Sequence, residues 1–305
     1  MEIITLTLNP AIDVHCKCDD FCAHKESIAS ILSRDMGGKG INLSRALASC
    51  GKSHKTLVVV GDENGEEFLK LLQKDGLDVA CVQAKGRIRE NITIHQEGQK
   101  ETRLSFEGFR AQESLIDCVL ENIPSDLTNT VVTFTGSAPK GIPKQKIIEF
   151  LLEIKERGAK LVLDSRSLSI DEIVSLSPWL IKPNEDETEI YSGKKITSPK
   201  IAEEVALDFH KKGVENVLIS LGGRGAVLAN NDGVFCLPAP CIKVVSTIGA
   251  GDSMIAGFIS GAIDKKGSKE QLAYSIACGS SACETEGTKP PKAERIEELY
   301  RLILG

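Results

Sequence analysis

Aromatic residues are scarce in this chain: 4% of its 305 residues are Phe, Trp or Tyr, with a single tryptophan, Trp179. Such a composition offers little for base stacking, and a formal net charge of −6 supplies no basic surface for a phosphate backbone. No nucleic-acid partner is therefore expected. Long apolar runs are also missing. The longest, such as Leu57, Val58, Val59 and Val60, reach four residues, against the roughly 20 that a membrane-spanning helix needs, so no membrane partner is expected either. The opening Met-Glu-Ile-Ile-Thr has neither the basic segment nor the apolar stretch of a secretory leader. A cytoplasmic location is the expectation.

Cysteine is not scarce. The ten thiols form an even count, but a chain of this size without a leader is expected to keep them reduced. His15, Cys16, Cys18, Cys22 and His24 crowd into ten residues and contain the donor types of a zinc site. A second Cys-x-x-Cys half is absent, and Cys16 and Cys18 fall at a spacing that puts both on one strand face. A structural role is the better reading of this cluster.

Apolar segments alternate with helical patterns along most of the chain. Short β-branched runs at 2–8, 55–60, 130–135, 160–163, 179–181 and 216–220 read as strands. Residues 143–157 read as a helix with an apolar stripe at Ile147, Ile148, Leu151 and Leu152. Ser198 and Pro199 open another, closed by Gly213, and the chain from about Ala250 onward is mostly helical. Alternation of this kind predicts an α/β fold, a mostly parallel sheet with helices on both faces. Segments 14–34 and 89–106 break the alternation and read as extended strands, the second with a hairpin-like Glu97-Gly98. They predict a small antiparallel β lid, discontinuous in sequence, on one α/β domain spanning 1–305.

The strongest local signal is Ser246-Thr-Ile-Gly-Ala-Gly-Asp-Ser-Met. Gly249 and Gly251 precede a helix whose first N–H groups form an anion site, and Asp252 sits in its first turn, where the dipole favours an ionised carboxylate. Asp35-Met-Gly-Gly-Lys-Gly-Ile-Asn likewise runs into a helix over 43–50, with Lys39 supplying charge and Asn42 a hydroxyl partner. In Ile181-Lys-Pro-Asn-Glu-Asp-Glu, Asn184 and Glu187 share a helix face, which suits contact with Mg²⁺ through water, although an acidic helix start is also common good electrostatics. Ser220-Leu-Gly-Gly-Arg-Gly follows a strand at the edge where open sheets bind ligands. There is no Walker-type P-loop and no complete dinucleotide fingerprint.

Taken in order, Thr5-Leu-Thr-Leu-Asn-Pro-Ala-Ile-Asp13, Gly37-Gly-Lys-Gly-Ile-Asn42, Lys182-Pro-Asn184, the 220–225 turn and Thr247-Ile-Gly-Ala-Gly-Asp252 are much more specific than any one of them. The combination resembles the PfkB (ribokinase-like) family of carbohydrate kinases, in its phosphosugar branch of 1-phosphofructokinases and tagatose-6-phosphate kinases. The resemblance implies a ribokinase-like three-layer α/β/α fold and Mg²⁺-dependent phosphoryl transfer from ATP to a ketohexose phosphate: fructose 1-phosphate, tagatose 6-phosphate or fructose 6-phosphate. It implies Asp252 as base, with Gly249, Ala250 and Gly251 offering N–H groups to the transferring phosphoryl. Lys182, Asn184, Ser220, Gly222 and Gly225 would serve ATP. Glu187, Asn184 and Asp164 would serve the metal, largely through water. Asp13, Gly38, Asn42 and Ser137 would hold the sugar, and Lys39, Arg89 and Arg103, with Lys25, its phosphate. A homodimer through the lid would follow from an apolar outer lid face. Two stretches depart from the branch pattern, Ala23-His-Lys-Glu-Ser-Ile and Ser105-Phe-Glu-Gly, both in the lid.

Three alternatives compete. The first is a kinase for an unphosphorylated sugar or nucleoside. The second is a non-catalytic sugar or nucleotide sensor on the same fold, against which the intact Gly-Ala-Gly-Asp speaks. The third is a nicotinamide oxidoreductase, which lacks its fingerprint.

Overall fold

The computed structural model describes residues 1–99 and 101–305; Lys100, in the segment 89–106, lies outside the described residues. The first half of the chain runs β1 (Glu2–Thr7), β2 (Ala11–Lys17), β3 (Ser30–Gly37), α1 (Lys39–Ser49), β4 (Lys55–Gly61), α2 (Gly65–Gln73), β5 (Val79–Ala84), β6 (Arg89–His95), β7 (Thr102–Ser105), α3 (Ser114–Glu121) and β8 (Thr130–Thr135). It continues through α4 (Lys144–Glu156), β9 (Lys160–Asp164), α5 (Ile170–Ser175), β10 (Leu180–Ile181), α6 (Glu185–Ser192), α7 (Pro199–Lys211) and β11 (Asn216–Ser220). The last elements are β12 (Ala226–Asn230), β13 (Gly233–Leu237), α8 (Ala250–Ile263), α9 (Ser268–Cys283) and α10 (Ala293–Leu304).

The large sheet has the order β13-β12-β11-β10-β9-β8-β1-β4-β5. Every pairing from β11 across to β5 is parallel, and the hairpin β12–β13 adds an antiparallel edge. Alternate strand residues feed two cores, as a period of two demands. Ile4, Leu6, Val132, Phe134, Leu161, Leu163, Val217 and Ile219 join Phe68 of α2, Ile116 of α3, Leu151 of α4 and Phe209 of α7. Ile3, Val131, Val162 and Leu218 join Leu43 of α1, Phe258 of α8 and Ile276 of α9 on the other face. Three layers result, as expected.

Local expectations were adjusted by packing. In α4 the buried positions are Ile147, Phe150, Leu151 and Ile154, whereas Ile148 is only partly buried and Leu152 is exposed. The i, i+3, i+4, i+7 rule, not neighbouring pairs, set the stripe. Trp179 precedes β10 rather than starting it and packs on Phe258, ring centroids 5.5 Å apart.

The second sheet is small, with order β3-β2-β6-β7. It begins earlier and ends later than 14–34, at Ala11 and Gly37, and it is mixed rather than antiparallel: β2 and β6 run parallel, each flanked by an antiparallel partner. Strands β1 and β5 belong to the parallel sheet, and β2 and β6 follow them after short connections, so they leave in the same direction. The Cys/His cluster is dispersed by this sheet. Cys16 enters the main core while its strand neighbour His15 points the other way and hydrogen-bonds His95 through ring nitrogens 3.0 Å apart. Cys22 and His24 are exposed. Among the described residues no group of three or more His, Cys, Asp or Glu is arranged around a metal-sized space. Among them too, no helix is long and apolar enough to cross a membrane.

Candidate active site

The carboxyl ends of the parallel strands converge on one cavity of about 1350 Å³. Thr7 ends β1, Gly136 and Ser137 follow β8, Asp164 ends β9, Lys182 follows β10 and Ser220 ends β11, and all of them line it. The chain winds outward in both directions from the β1–β8 neighbours, so this is the crevice at a topological switch point where open sheets bind ligands. Arg89 of β6 and Arg103 of β7 bring the small sheet to its wall.

Two helix starts face this crevice. Helix α1 begins at Lys39, not at residue 43, with Gly38 as its cap at φ 128°. A side chain at Gly38 would be strained and would meet Thr7 Cγ2 at 2.8 Å, so the glycine lets β1 and α1 approach. The early start puts Asn42 in the first turn, where its Nδ2 donates to Asp252 Oδ2 at 3.1 Å. Helix α8 begins at Ala250 after Gly249, which takes the left-handed conformation at φ 78°. The Ala250 N–H leans on the Thr247 carbonyl at 3.4 Å. Gly249, Gly251 and Asp252 therefore supply the open N–H groups among the described residues, and Asp252's own amide joins the expected set.

Asp252 itself corrects an expectation. The helix dipole was expected to hold its carboxylate ionised; instead burial, assisted by the nearby Asp164 charge, raises its pKa to about 7. Lys39, Asn42 and Lys182 pull in the other direction but do not prevail. A carboxyl with 5% exposure has lost the water that would solvate its charge. Lys39 Nζ donates to Asp164 Oδ2 at 2.9 Å, and Lys182 Nζ stands 3.9 Å from the same oxygen. Burial works against the Lys39 ammonium, yet Asp164 and Asp252 outweigh it and raise its pKa. Lys39 thus pairs with Asp164, beside Asp252, rather than standing with the arginines of the small sheet, where it was expected.

On the small-sheet side, Asp13 is buried and its Oδ1 accepts from Asn91 Nδ2 at 2.8 Å and from Arg103 Nη2 at 3.1 Å. Arg89 Nε donates to the Pro10 carbonyl at 3.4 Å; burial pushes its pKa down, Asp13 opposes this and Arg103 adds to it. Two guanidiniums facing one carboxylate leave a surplus positive charge. Asn9 donates to Ser137 Oγ at 3.2 Å. Among the described residues, the side-chain oxygens of Asn9, Asn42 and Asn91 are buried without a hydrogen-bond partner. Lys25 is exposed and does not line the cavity.

At the other end, Asn184 caps α6. Its Oδ1 accepts from the Glu187 amide at 2.8 Å while Glu187 Oε2 accepts from the Asn184 amide at 2.9 Å. The i, i+3 spacing is thus a capping box, which spends the Asn184 carbonyl and leaves its NH₂ toward the cavity. Arg166 Nε donates to Glu187 Oε1 at 2.7 Å. Ser220, Gly222 and Gly225 form the adjoining turn, and Gly225, at φ 100°, passes so close to the chain that a Cβ would collide with the Leu237 carbonyl. Ala239, Ile242, Val244, Ile248 and Ile276 make this end apolar.

The arrangement brings together Asp13, Gly38, Lys39, Asn42, Arg89, Arg103, Ser137, Asp164, Lys182, Asn184, Glu187, Ser220, Gly222, Gly225 and the 249–252 turn. Sequence reasoning missed Thr7, Asn9, Asn91, Arg166 and the apolar end. Thr7 and Asn9 stood inside the quoted Thr5–Asp13 motif and were the findable ones; Asn91 lies two residues after Arg89, and Arg166 and the apolar end have no local signature.

The model of the pfkB family carbohydrate kinases matches residues 6–295. The 1-phosphofructokinase of Haemophilus influenzae is 30% identical over 283 residues, 92% of this chain and 90% of that protein. That of Bacillus subtilis is 30% identical over 284 residues, 93% of each. Among solved structures, phosphofructokinase-2 from Escherichia coli in complex with substrates and products superposes with a TM-score of 0.94 over the whole of both chains at 25% identity. The fold is accordingly the ribokinase-like α/β fold. An acid buried at a helix start, cations beside it and a matching family model along nearly the whole chain lead to one conclusion: the protein belongs to the pfkB family of carbohydrate kinases and is a phosphotransferase.

Proposed function

We propose that the enzyme transfers the γ-phosphoryl group of ATP to the free primary hydroxyl of a ketohexose phosphate, with fructose 1-phosphate as the preferred acceptor. The observation that carries this reading is the pairing of Arg89 and Arg103 around a single buried Asp13. One carboxylate holds sugar hydroxyls, and the surplus cation seeks an anion, which a neutral sugar lacks. The curated relatives named 1-phosphofructokinase favour fructose 1-phosphate over tagatose 6-phosphate and fructose 6-phosphate.

Asp252 accepts the proton of the attacking hydroxyl. A base with a pKa near 7 is half ionised at neutral pH and matched to that task. The N–H groups of Gly249, Gly251 and Asp252, with Lys39 and Lys182, face the charge on the transferring oxygens, the main term in phosphoryl transfer. Asn42 orients the carboxylate. The apolar end takes the nucleobase, and the 220–225 turn and Asn184 take phosphate oxygens. Asp164 and Glu187 are hard oxygen donors, too few for a protein cage, which fits a Mg²⁺ that arrives on phosphate with its waters. Bound there, held by Asp164 and Glu187 through its waters, it would neutralise charge on the β- and γ-phosphates; Asn184, expected from the sequence to help hold the metal, has its carbonyl spent in the α6 cap and offers only its NH₂, to phosphate oxygens.

The chain acts as one unit in which the small sheet closes over the sugar as a lid. Ile31, Leu32, Leu104 and Phe106 leave that sheet with exposed apolar side chains, which a second copy of the chain would cover in a homodimer. Turnover with MgATP across a panel of phosphorylated and neutral ketoses tests the reading. Arg89→Ala with Arg103→Ala should abolish the preference for the phosphorylated acceptor.

A further inference from the structure

We infer that Arg166, which no motif marks, is a ligand for the nucleotide's polyphosphate. The inference rests on the nucleotide-binding reading of this cavity. Arg166 follows β9 by two residues and lines the cavity with Ser167, Lys182, Asn184 and Ser220. Its side chain is 72% exposed, yet its Nε is fixed to Glu187 Oε1 at 2.7 Å. The anchor is rigid: the Glu187 side chain is 8% exposed and its second oxygen is committed to the Asn184 amide. A guanidinium has five N–H donors in a planar fork. Among the described residues only Nε is engaged with the protein, so both terminal nitrogens remain available at the cavity wall.

This is the geometry of a presented cation. The carboxylate holds the base of the fork and the fork's outer edge matches two oxygens of a phosphate. A merely solvated arginine would gain nothing from a buried anchor. A merely structural one would be expected to bury its terminal nitrogens, as Arg45 does with the Met36 carbonyl at 2.8 Å. The location selects the ligand. Arg166 is tied through Glu187 to the α6 cap, and Asn184 of that cap bridges Ser220 at the start of the 220–225 turn, whereas Arg89 and Arg103 stand with Asp13 on the small sheet. The anion reached is therefore the nucleotide's and not the sugar's.

Calorimetric binding of ADP and of adenosine to the full chain, wild type and Arg166→Gln, tests this. ADP affinity should fall about tenfold or more, the usual consequence of losing charged hydrogen bonds, while adenosine affinity and the thermal midpoint stay unchanged. Arg166→Lys should recover part of the loss. Unchanged ADP affinity in Arg166→Gln would overturn the inference. Equal losses of ADP and adenosine, or a lowered thermal midpoint, would assign Arg166 a structural role and overturn it too. A wild-type protein that bound neither nucleotide would overturn the kinase reading itself, a result separable from the other two.

Discussion

Asn42 and Asp252 lie 210 positions apart in the chain and meet through a 3.1 Å hydrogen bond that ties the start of α1 to the start of α8. The bond aims a buried carboxyl, raised to about 7, into the mouth of two helix starts. Both glycine-rich loops exist to make that meeting: Gly38 lets α1 reach β1, and Gly249 turns the chain into α8.

Asp252→Asn should lower kcat by about 10²-fold or more, a usual range for a positioned base, while nucleotide affinity is retained. The amide is nearly isosteric but cannot accept the hydroxyl proton. Single-turnover kinetics with ADP binding as control would check it, and a near-normal kcat would remove Asp252 from the chemistry.

The pH profile follows from the raised pKa. The base must be ionised, so kcat/KM should fall as pH drops through about 7 and level off above it. Asp164→Asn removes a repelling charge and should move this limb to lower pH. Lys39→Met removes an attracting one and should move it to higher pH. Opposite shifts, or none, in a pH–rate series on these variants would show that another group sets the limb.

Arg89→Ala and Arg103→Ala should each raise KM for the sugar phosphate by about 10- to 100-fold, the range for a charged hydrogen bond, with little effect on a neutral ketose. Steady-state KM values for the two acceptor classes give the comparison. Arg103→Ala should be the more disruptive at Asp13, because it also removes a 3.1 Å partner from a buried carboxylate.

Gly225→Ala should cost more than the about 1–3 kcal/mol of a side chain held at disfavoured dihedrals, because the new Cβ would also collide with the Leu237 carbonyl. Urea unfolding followed by the single tryptophan gives the value, and ADP affinity should fall as the turn shifts.

Ile31→Glu combined with Leu104→Glu should convert a dimer to a monomer. Both side chains are about half exposed, 60% and 47%, on the outer small sheet. Light scattering of the wild type and the variant decides it; a monomeric wild type would contradict the lid interface.

Much of this was legible because local and global signals agreed. The parallel strands stand out as β-branched runs, and the helix starts as glycine followed by a polar residue, so Gly38, Asn42, Gly249 and Asp252 could be read directly. Non-local effects could not. The protonation of Asp252 depends on how much water the folded chain removes and on Asp164 arriving from another strand. The partner of Lys39 depends on which strand end lies beneath α1, and the parallel pairing of β2 with β6 on two distant departures from the large sheet. Arg166 sits in a Ser-rich stretch with no motif, and only the fold brings it to Glu187. Asn184 and Glu187 line the cavity, and the spacing that suggested metal contact equally announces the capping box they form.

The most direct test of the kinase reading is kcat/KM with MgATP across fructose 1-phosphate, fructose 6-phosphate, tagatose 6-phosphate and free fructose. Fructose 1-phosphate should exceed free fructose by about 10²-fold or more, the worth of two arginine contacts to phosphate. Equal or better turnover of the neutral sugar, or no turnover of any phosphorylated ketose, would contradict it.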